Sequence, residues 1–136
     1  MDAKPLIDWK DELALGIDAF DREHRDLVEA INRLHALGRK KAEPAVFRTA
    51  LDHLIHVTED HFTHEETVLR HHGCTNLGMH QREHDELLED IAALRLVGDD
   101  PAEVAGMLGM LRDWLVDHIM NFDCGYRACL EDKEIR

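Results

Sequence analysis

Four stretches of the chain repeat apolar residues every three or four positions, the period of one face of an α-helix. Short turns separate them, so the sequence favours an all-α, up-down-up-down four-helix bundle. Asp18 or Asp21 is available as the first N-cap, and Gly38 as the first terminator. The predicted helices span Asp18–Leu37, Pro44–Gly73, Leu77–Val97 and the chain from Ala102 onward.

The first 17 residues show no sustained periodicity and contain Pro5, Trp9 and Gly16. We expect an irregular N-terminal lead-in whose Trp9 packs on the bundle. A chain of 136 residues suits one domain. We therefore predict a single domain over 1–136, with the lead-in at 1–17 and the bundle at 18–136.

The formal net charge of −13 argues against nucleic-acid and anionic-membrane partners, because both would repel such a surface. No apolar stretch approaches the ~20 residues needed to span a bilayer, and the N-terminus lacks a signal-peptide core. These features predict a cytoplasmic protein. Cys74, Cys124 and Cys129 are odd in number without C-x-x-C spacing, so we interpret them as reduced thiols.

Seven residues of metal-binding types gather at one end of the predicted antiparallel bundle. Buried ionisable groups are costly unless they are paired or bound to a metal, so this convergence predicts a metal site. Imidazole with carboxylate suits iron or manganese, and the lack of thiolate ligands argues against an iron–sulfur cluster. The seven candidates are His24, His61, Glu65, His80, His84, His118 and Asp123.

Spacing supports these candidates within single helices. His80 and His84 are four residues apart, as are His61 and Glu65, so each pair shares one helix face. Asp123 follows His118 by five residues, which is about 140° around a regular helix. We therefore predict a local irregularity between Asn121 and Gly125.

Other ionisable residues are expected outside the site. His56 and Asp60 form a rival pair with the same spacing, but they point away from the apolar stripe of their helix. Glu66 lies about 100° from Glu65 and is expected at the surface or just outside the ligands. The histidines expected to be solvated are His53, His56 and His64.

The coordination count describes the kind of metal centre. Five imidazoles, two bridging carboxylates and one bridging oxygen would leave a single position open on a pair of six-coordinate ions. We interpret this as a site that admits one small ligand. A structural zinc site would need no such position.

Together the motifs resemble the haemerythrin family, and specifically its bacterial branch, the bacteriohemerythrins. The resemblance covers nearly the whole chain. Where bacterial members often carry Tyr-Pro, this chain has Cys74-Thr75, and Leu87 replaces a common phenylalanine. The matching motifs are Trp9, Leu15-Gly16-Ile17-Asp18, Asp21-x-x-His24-x-x-Leu27, His61-Phe62-x-x-Glu65-Glu66, His80-x-x-x-His84 and Trp114-x-x-x-His118-Ile119-x-x-x-Asp123.

The resemblance implies a di-iron centre with an oxo or hydroxo bridge. One iron would be held by His80, His84 and His118, and the other by His24 and His61. Glu65 and Asp123 would bridge the two ions. The resemblance also places three residues in an apolar oxygen pocket, namely Phe62, Leu115 and Ile119.

The implied function is reversible binding of O2 for sensing, carriage or delivery, rather than catalysis. Family members also occur as domains of chemotaxis receptors, such as the DcrH type. Nitric oxide is an alternative ligand. A di-iron oxidase, peroxidase or ferroxidase is the alternative class, but such bundles usually carry Glu-rich sites with two E-x-x-H motifs.

Overall fold

The computed structural model describes residues 6–9, 13–40, 43–74, 77–97, 101–121 and 127–130. The regular elements among these residues are helices, with no strand among them, and the predicted all-α class is confirmed. None of the described helices is long and apolar enough to cross a lipid bilayer. The helices are α1 (Asp18–Arg39), α2 (Pro44–His71), α3 (Leu77–Val97), α4 (Pro101–Asn121) and the short α5 (Arg127–Leu130).

The four long helices form a closed ring of neighbours. Helix α1 packs against α2 and α4, and α3 packs against the same two helices. This arrangement is the predicted up-down-up-down bundle. Leucine and isoleucine side chains from all four helices fill its interior, including Leu27, Leu34, Leu51, Leu54, Ile91, Leu94, Leu108 and Leu111.

The helix ends follow local backbone chemistry. Pro44 occupies the first turn of α2, where its missing N–H costs nothing. At the other end Gly73 adopts a left-handed φ of 64°, and the Cys74 N–H donates to the Leu69 carbonyl at 2.9 Å. Helix α1 passes through its predicted terminator, Gly38, and ends one residue later.

The N-cap prediction for α1 is wrong. Ile17 is the N-cap residue, and Asp21 instead accepts hydrogen bonds from two backbone N–H groups of the lead-in. The Leu15 N–H lies 2.7 Å from Asp21 Oδ1, and the Gly16 N–H lies 3.1 Å from Oδ2. Gly16 has a φ of 82°, a conformation that favours glycine. The carboxylate therefore holds this turn against α1.

The described part of the lead-in is irregular, as predicted, but it is firmly attached. The Ile7 N–H and carbonyl both pair with the Asn32 amide at 2.8 Å, and the Ile7 side chain is buried. Trp9 packs on the bundle, as expected. The Arg25 guanidinium carbon lies 5.0 Å from the centre of the Trp9 ring, within the range of a cation–π contact.

Two of the three cysteines form a disulfide, so the prediction that they are reduced is wrong. Cys74 lies just after α2 and Cys129 lies in α5, with Cα atoms 6.0 Å apart. They are separated by 55 positions, so no local spacing could have indicated the pair. Cys124 lies outside the described residues.

Removing the Asp21 carboxylate should destabilise the protein. In Asp21→Ala, the Leu15 and Gly16 N–H groups lose their acceptor, and an unsatisfied buried donor costs about 1–3 kcal/mol. Urea unfolding should report this loss of unfolding free energy. Asp26→Ala is the control, because Asp26 is exposed on the same helix. Equal stabilities of the two variants would refute the anchoring role of Asp21.

Candidate metal centre

The structure brings six of the seven predicted ligands together in the interior. Helix α1 contributes one residue, α2 two, α3 two and α4 one. All six are at most 3% exposed. The seventh, Asp123, and most of the predicted irregularity at Asn121–Gly125 lie outside the described residues. The six are His24, His61, Glu65, His80, His84 and His118.

Glu65 lies at the centre of this cluster, and each of its oxygens faces a different group of histidines. Oε2 is 3.1 Å from Nε2 of His61 and 3.9 Å from Nε2 of His24. Oε1 is 3.2 Å from Nε2 of His84 and 3.7 Å from Nε2 of His80. One carboxylate thus separates the imidazoles into two groups.

Two sets of donor atoms are close enough to hold a metal ion each. In His24, His61 and Glu65 the donor atoms lie within 4.8 Å of one another, and the same holds for Glu65, His80 and His118. Because Glu65 belongs to both sets, it is positioned to bridge two ions. A buried set of imidazoles around one shared carboxylate fits a pair of transition-metal ions.

The electrostatics of the cluster favour an ionised Glu65. Burial by itself raises the pKa of a carboxyl, but the interactions of Glu65 with the surrounding imidazoles outweigh this effect. The pKa of Glu65 is therefore held well below its ordinary value. The imidazoles responsible are His24, His61 and His84.

A further carboxylate, Glu23, connects two histidines of α2. The Nδ1 atoms of His61 and His64 each lie 2.6 Å from one of its oxygens. Burial raises the pKa of Glu23, but the hydrogen bonds and charges of these histidines outweigh burial and lower it. With Nδ1 of His61 occupied as a donor, Nε2 is left to face Glu65. The prediction that His64 is solvated is wrong, because this contact half-buries it.

Glu66 plays the corresponding part on the other side of the cluster. Its Oε2 lies 2.8 Å from Nδ1 of His84, so the Nε2 atom of that ring is directed to Glu65. The sequence predicted that Glu66 lies either at the surface or just outside the ligands. The structure places it just outside them.

Aromatic rings stack on two of the candidate ligands. Phe62 lies parallel to the His84 ring with centroids 3.7 Å apart, and Trp114 lies nearly parallel to His118 at 4.4 Å. The other two predicted pocket residues, Leu115 and Ile119, are buried on α4 within one turn of His118. Flat contacts of this kind restrict rotation of the imidazoles.

The rival pair of α2 stays at the surface. His56 and Asp60 are about 70% exposed, and Nε2 of His56 lies 3.2 Å from Oδ2 of Asp60 without either side chain reaching the interior. His53 is also exposed, as predicted. The apolar stripe therefore distinguished the buried face of α2 from its exposed face.

Comparison with known proteins is consistent with this geometry. The family model of the hemerythrin HHE cation binding domain matches residues 15–123. The chain belongs to the haemerythrin family. It is 31% identical to a bacteriohemerythrin of Stenotrophomonas maltophilia over 124 residues, covering 89% of this chain and 79% of the relative.

Other haemerythrins match over a similar length. A bacteriohemerythrin of Clostridium acetobutylicum is 30% identical over 124 residues, which cover 87% of this chain and 96% of the relative. A myohemerythrin of Riftia pachyptila is 33% identical over 122 residues, covering 90% and 92% respectively. The resemblance predicted from the motifs is confirmed.

Sequence reasoning missed the contact of Glu23 with two histidines. Glu23 directly precedes His24, and an acidic neighbour of a candidate ligand was the only local signal. The role of Trp114 was missed as well, although it belongs to the haemerythrin motif. A residue four positions before His118 shares its helix face, so stacking was foreseeable.

Neutralising Glu23 should weaken metal binding. In Glu23→Gln the amide no longer offers His61 a charged acceptor, and loss of such support typically costs 10–100-fold in metal affinity. Competition with a chromogenic chelator for iron(II) or manganese(II) measures the change. Glu59→Gln is the control, because Glu59 is exposed on α2. Unchanged affinity in Glu23→Gln would exclude a supporting role.

Proposed function

We propose that this haemerythrin binds O2 reversibly at a pair of iron ions. Three histidines, His80, His84 and His118, would hold one ion, and His24 and His61 would hold the other. The observation that carries the proposal is the position of Glu65. Its Oε2 faces His61 and His24, and its Oε1 faces His84 and His80, at 3.1–3.9 Å. His118 joins the second group, because its donor atom lies within 4.8 Å of those of Glu65 and His80. When bound, the iron pair supplies the electrons and the open position for oxygen.

The unequal division of histidines supports one open position. The ion beside His24 and His61 would have one imidazole fewer than its partner, so a small ligand has a place there. Asp123 is proposed as the second bridging carboxylate. This role requires the predicted irregularity between Asn121 and Gly125, because a regular helix would turn Asp123 about 140° away from His118.

Apolar packing around the ligands would protect the site. We propose that Phe62, Leu115 and Ile119 line the oxygen pocket, and all three are at most 3% exposed. These apolar side chains would exclude water and keep protons from the bound ligand. Phe62 also contacts His84 face to face, so it restricts that ring as well as excluding water.

The composition of the site argues against a dedicated oxidising enzyme. Di-iron bundle enzymes of the ferritin type use a Glu from each of two helices and a Glu-x-x-His motif from each of the other two. Here the described cluster has five histidines and one carboxylate. Membership in the haemerythrin family agrees with ligand binding as the function.

The proposal covers carriage, delivery and sensing, because all three use the same binding step. We propose a single haemerythrin domain over 1–136, acting in the cytoplasm by itself or as part of a chemotaxis receptor. Nitric oxide is a second small ligand for the same open position.

Oxygen cycling of the iron-loaded protein tests the proposal. The reduced protein should develop a visible absorption band under oxygen and lose it under argon over repeated cycles. Irreversible bleaching, or steady consumption of a reductant, would instead indicate an enzyme.

His118→Ala should reduce the iron content, while the exposed His56→Ala should not. Equal iron loss in both variants would reject the proposed ligand set.

The oxygen pocket can be tested with two matched leucines. Leu115→Ala and Leu51→Ala each remove a buried leucine, and each should cost about 2–5 kcal/mol of unfolding free energy. Leu51 lies 14 residues before Glu65, or about 21 Å along α2. Only Leu115→Ala should therefore speed the decay of the oxygenated form, followed spectroscopically. Equal decay in the two variants would remove Leu115 from the pocket.

A further inference from the structure

The Cys74–Cys129 disulfide is not used by the proposed oxygen chemistry. It joins the turn after α2 to α5, two parts of the chain separated by 55 positions. No sulfur belongs to either candidate metal-binding set in the described residues. The bond therefore calls for a separate explanation.

The two sides of the bond are anchored very differently. Cys74 lies on a well-defined turn, where its N–H donates to the Leu69 carbonyl at 2.9 Å and Leu69 is fully buried. Cys129 lies in a helix of four residues, which is too short to be stable by itself. Among the described side chains of α5, Leu130 is also buried in the hydrophobic core. The disulfide is thus a major tie between α5 and the bundle.

The bond is also within reach of a reductant. Cys74 and Cys129 are both partly exposed, in contrast to the ligand cluster. A thiolate can attack one sulfur and form a mixed disulfide, which a second thiol then resolves. In sum, two reductant thiols become one disulfide, and Cys74 and Cys129 gain two electrons and two protons as free thiols.

The position of the bond relates it to the metal centre. Cys74 follows Glu65 by nine residues, and Cys129 follows His118 by eleven. The bond therefore ties together the chain beyond the metal-binding ends of α2 and α4. Opening it removes the covalent constraint on how these two ends lie relative to each other.

We propose that Cys74–Cys129 is a reversible thiol–disulfide site, reduced by dithiols and re-formed by disulfide oxidants, whose state controls how firmly the bundle retains its metal ions. In reducing compartments, disulfides of this kind usually serve in redox sensing. The second half of the proposal rests on the proposed iron site, whereas the first half does not.

Thiol counting tests the redox site. The full-length protein, with or without iron, is treated with dithiothreitol without denaturant, separated from it under argon, and titrated for thiols. We expect a gain of two thiols per chain, reversed by oxidised glutathione. A gain that requires unfolding would overturn the proposal. Because the metal-free protein is included, a failure to bind iron does not affect this result.

The rate of iron release tests whether the redox state of the disulfide controls metal retention. Iron transfer to a colorimetric chelator should be about tenfold faster from the reduced protein. This factor is near the lower end of the roughly 10–100-fold loss of metal affinity that follows removal of groups supporting the ligands. Cys129→Ser and Cys74→Ser should release iron quickly with or without prior dithiothreitol treatment. Equal rates in the two states of the unmodified protein would overturn control of retention. So would an equal acceleration by dithiothreitol in the serine variants, because the reductant would then act on the iron.

Discussion

Burying a carboxylate inside an apolar bundle costs several kcal/mol unless its charge is compensated. Glu65 is fully buried, so the faces of the helices around it must supply that compensation. They do so with imidazoles, from α1 on one side and from α3 on the other. The arrangement of the bundle at this end is therefore tied to one side chain. A metal ion on each side of Glu65 would complete the compensation that the imidazoles begin.

The imidazoles are themselves held from outside the cluster. Glu23 directly precedes His24 and Glu66 directly follows Glu65, yet both reach histidines on a neighbouring helix. Adjacent helical residues point about 100° apart, so one can face the interior while the other faces the next helix. This geometry lets one of two consecutive residues serve as a candidate ligand while the other supports a candidate ligand on the next helix. The anionic supports also favour metal binding by making the imidazoles more basic.

Sequence reasoning predicted what depends on position within one helix. The bounds of α3 match the prediction, and the apolar stripe distinguished His61 from the exposed His56. It failed where contacts join different helices. Glu23 with His64, and Cys74 with Cys129, are pairs whose members lie 41 and 55 positions apart. Helical periodicity gives the direction of a side chain but not the length of its reach across an interface. Asp123 stays a prediction.

The attachment of the lead-in limits how a change at the metal centre could be transmitted. Asp21 lies three residues before His24, on the same side of α1, and holds the Leu15–Gly16 turn by two hydrogen bonds. Displacement of His24 would therefore act on the lead-in through the first turn of α1. Asn32 holds Ile7 by two further bonds, just over two turns beyond His24. Any movement of the lead-in coupled to His24 would have to shift one of these anchors, and the Asp21 anchor is the nearer to His24.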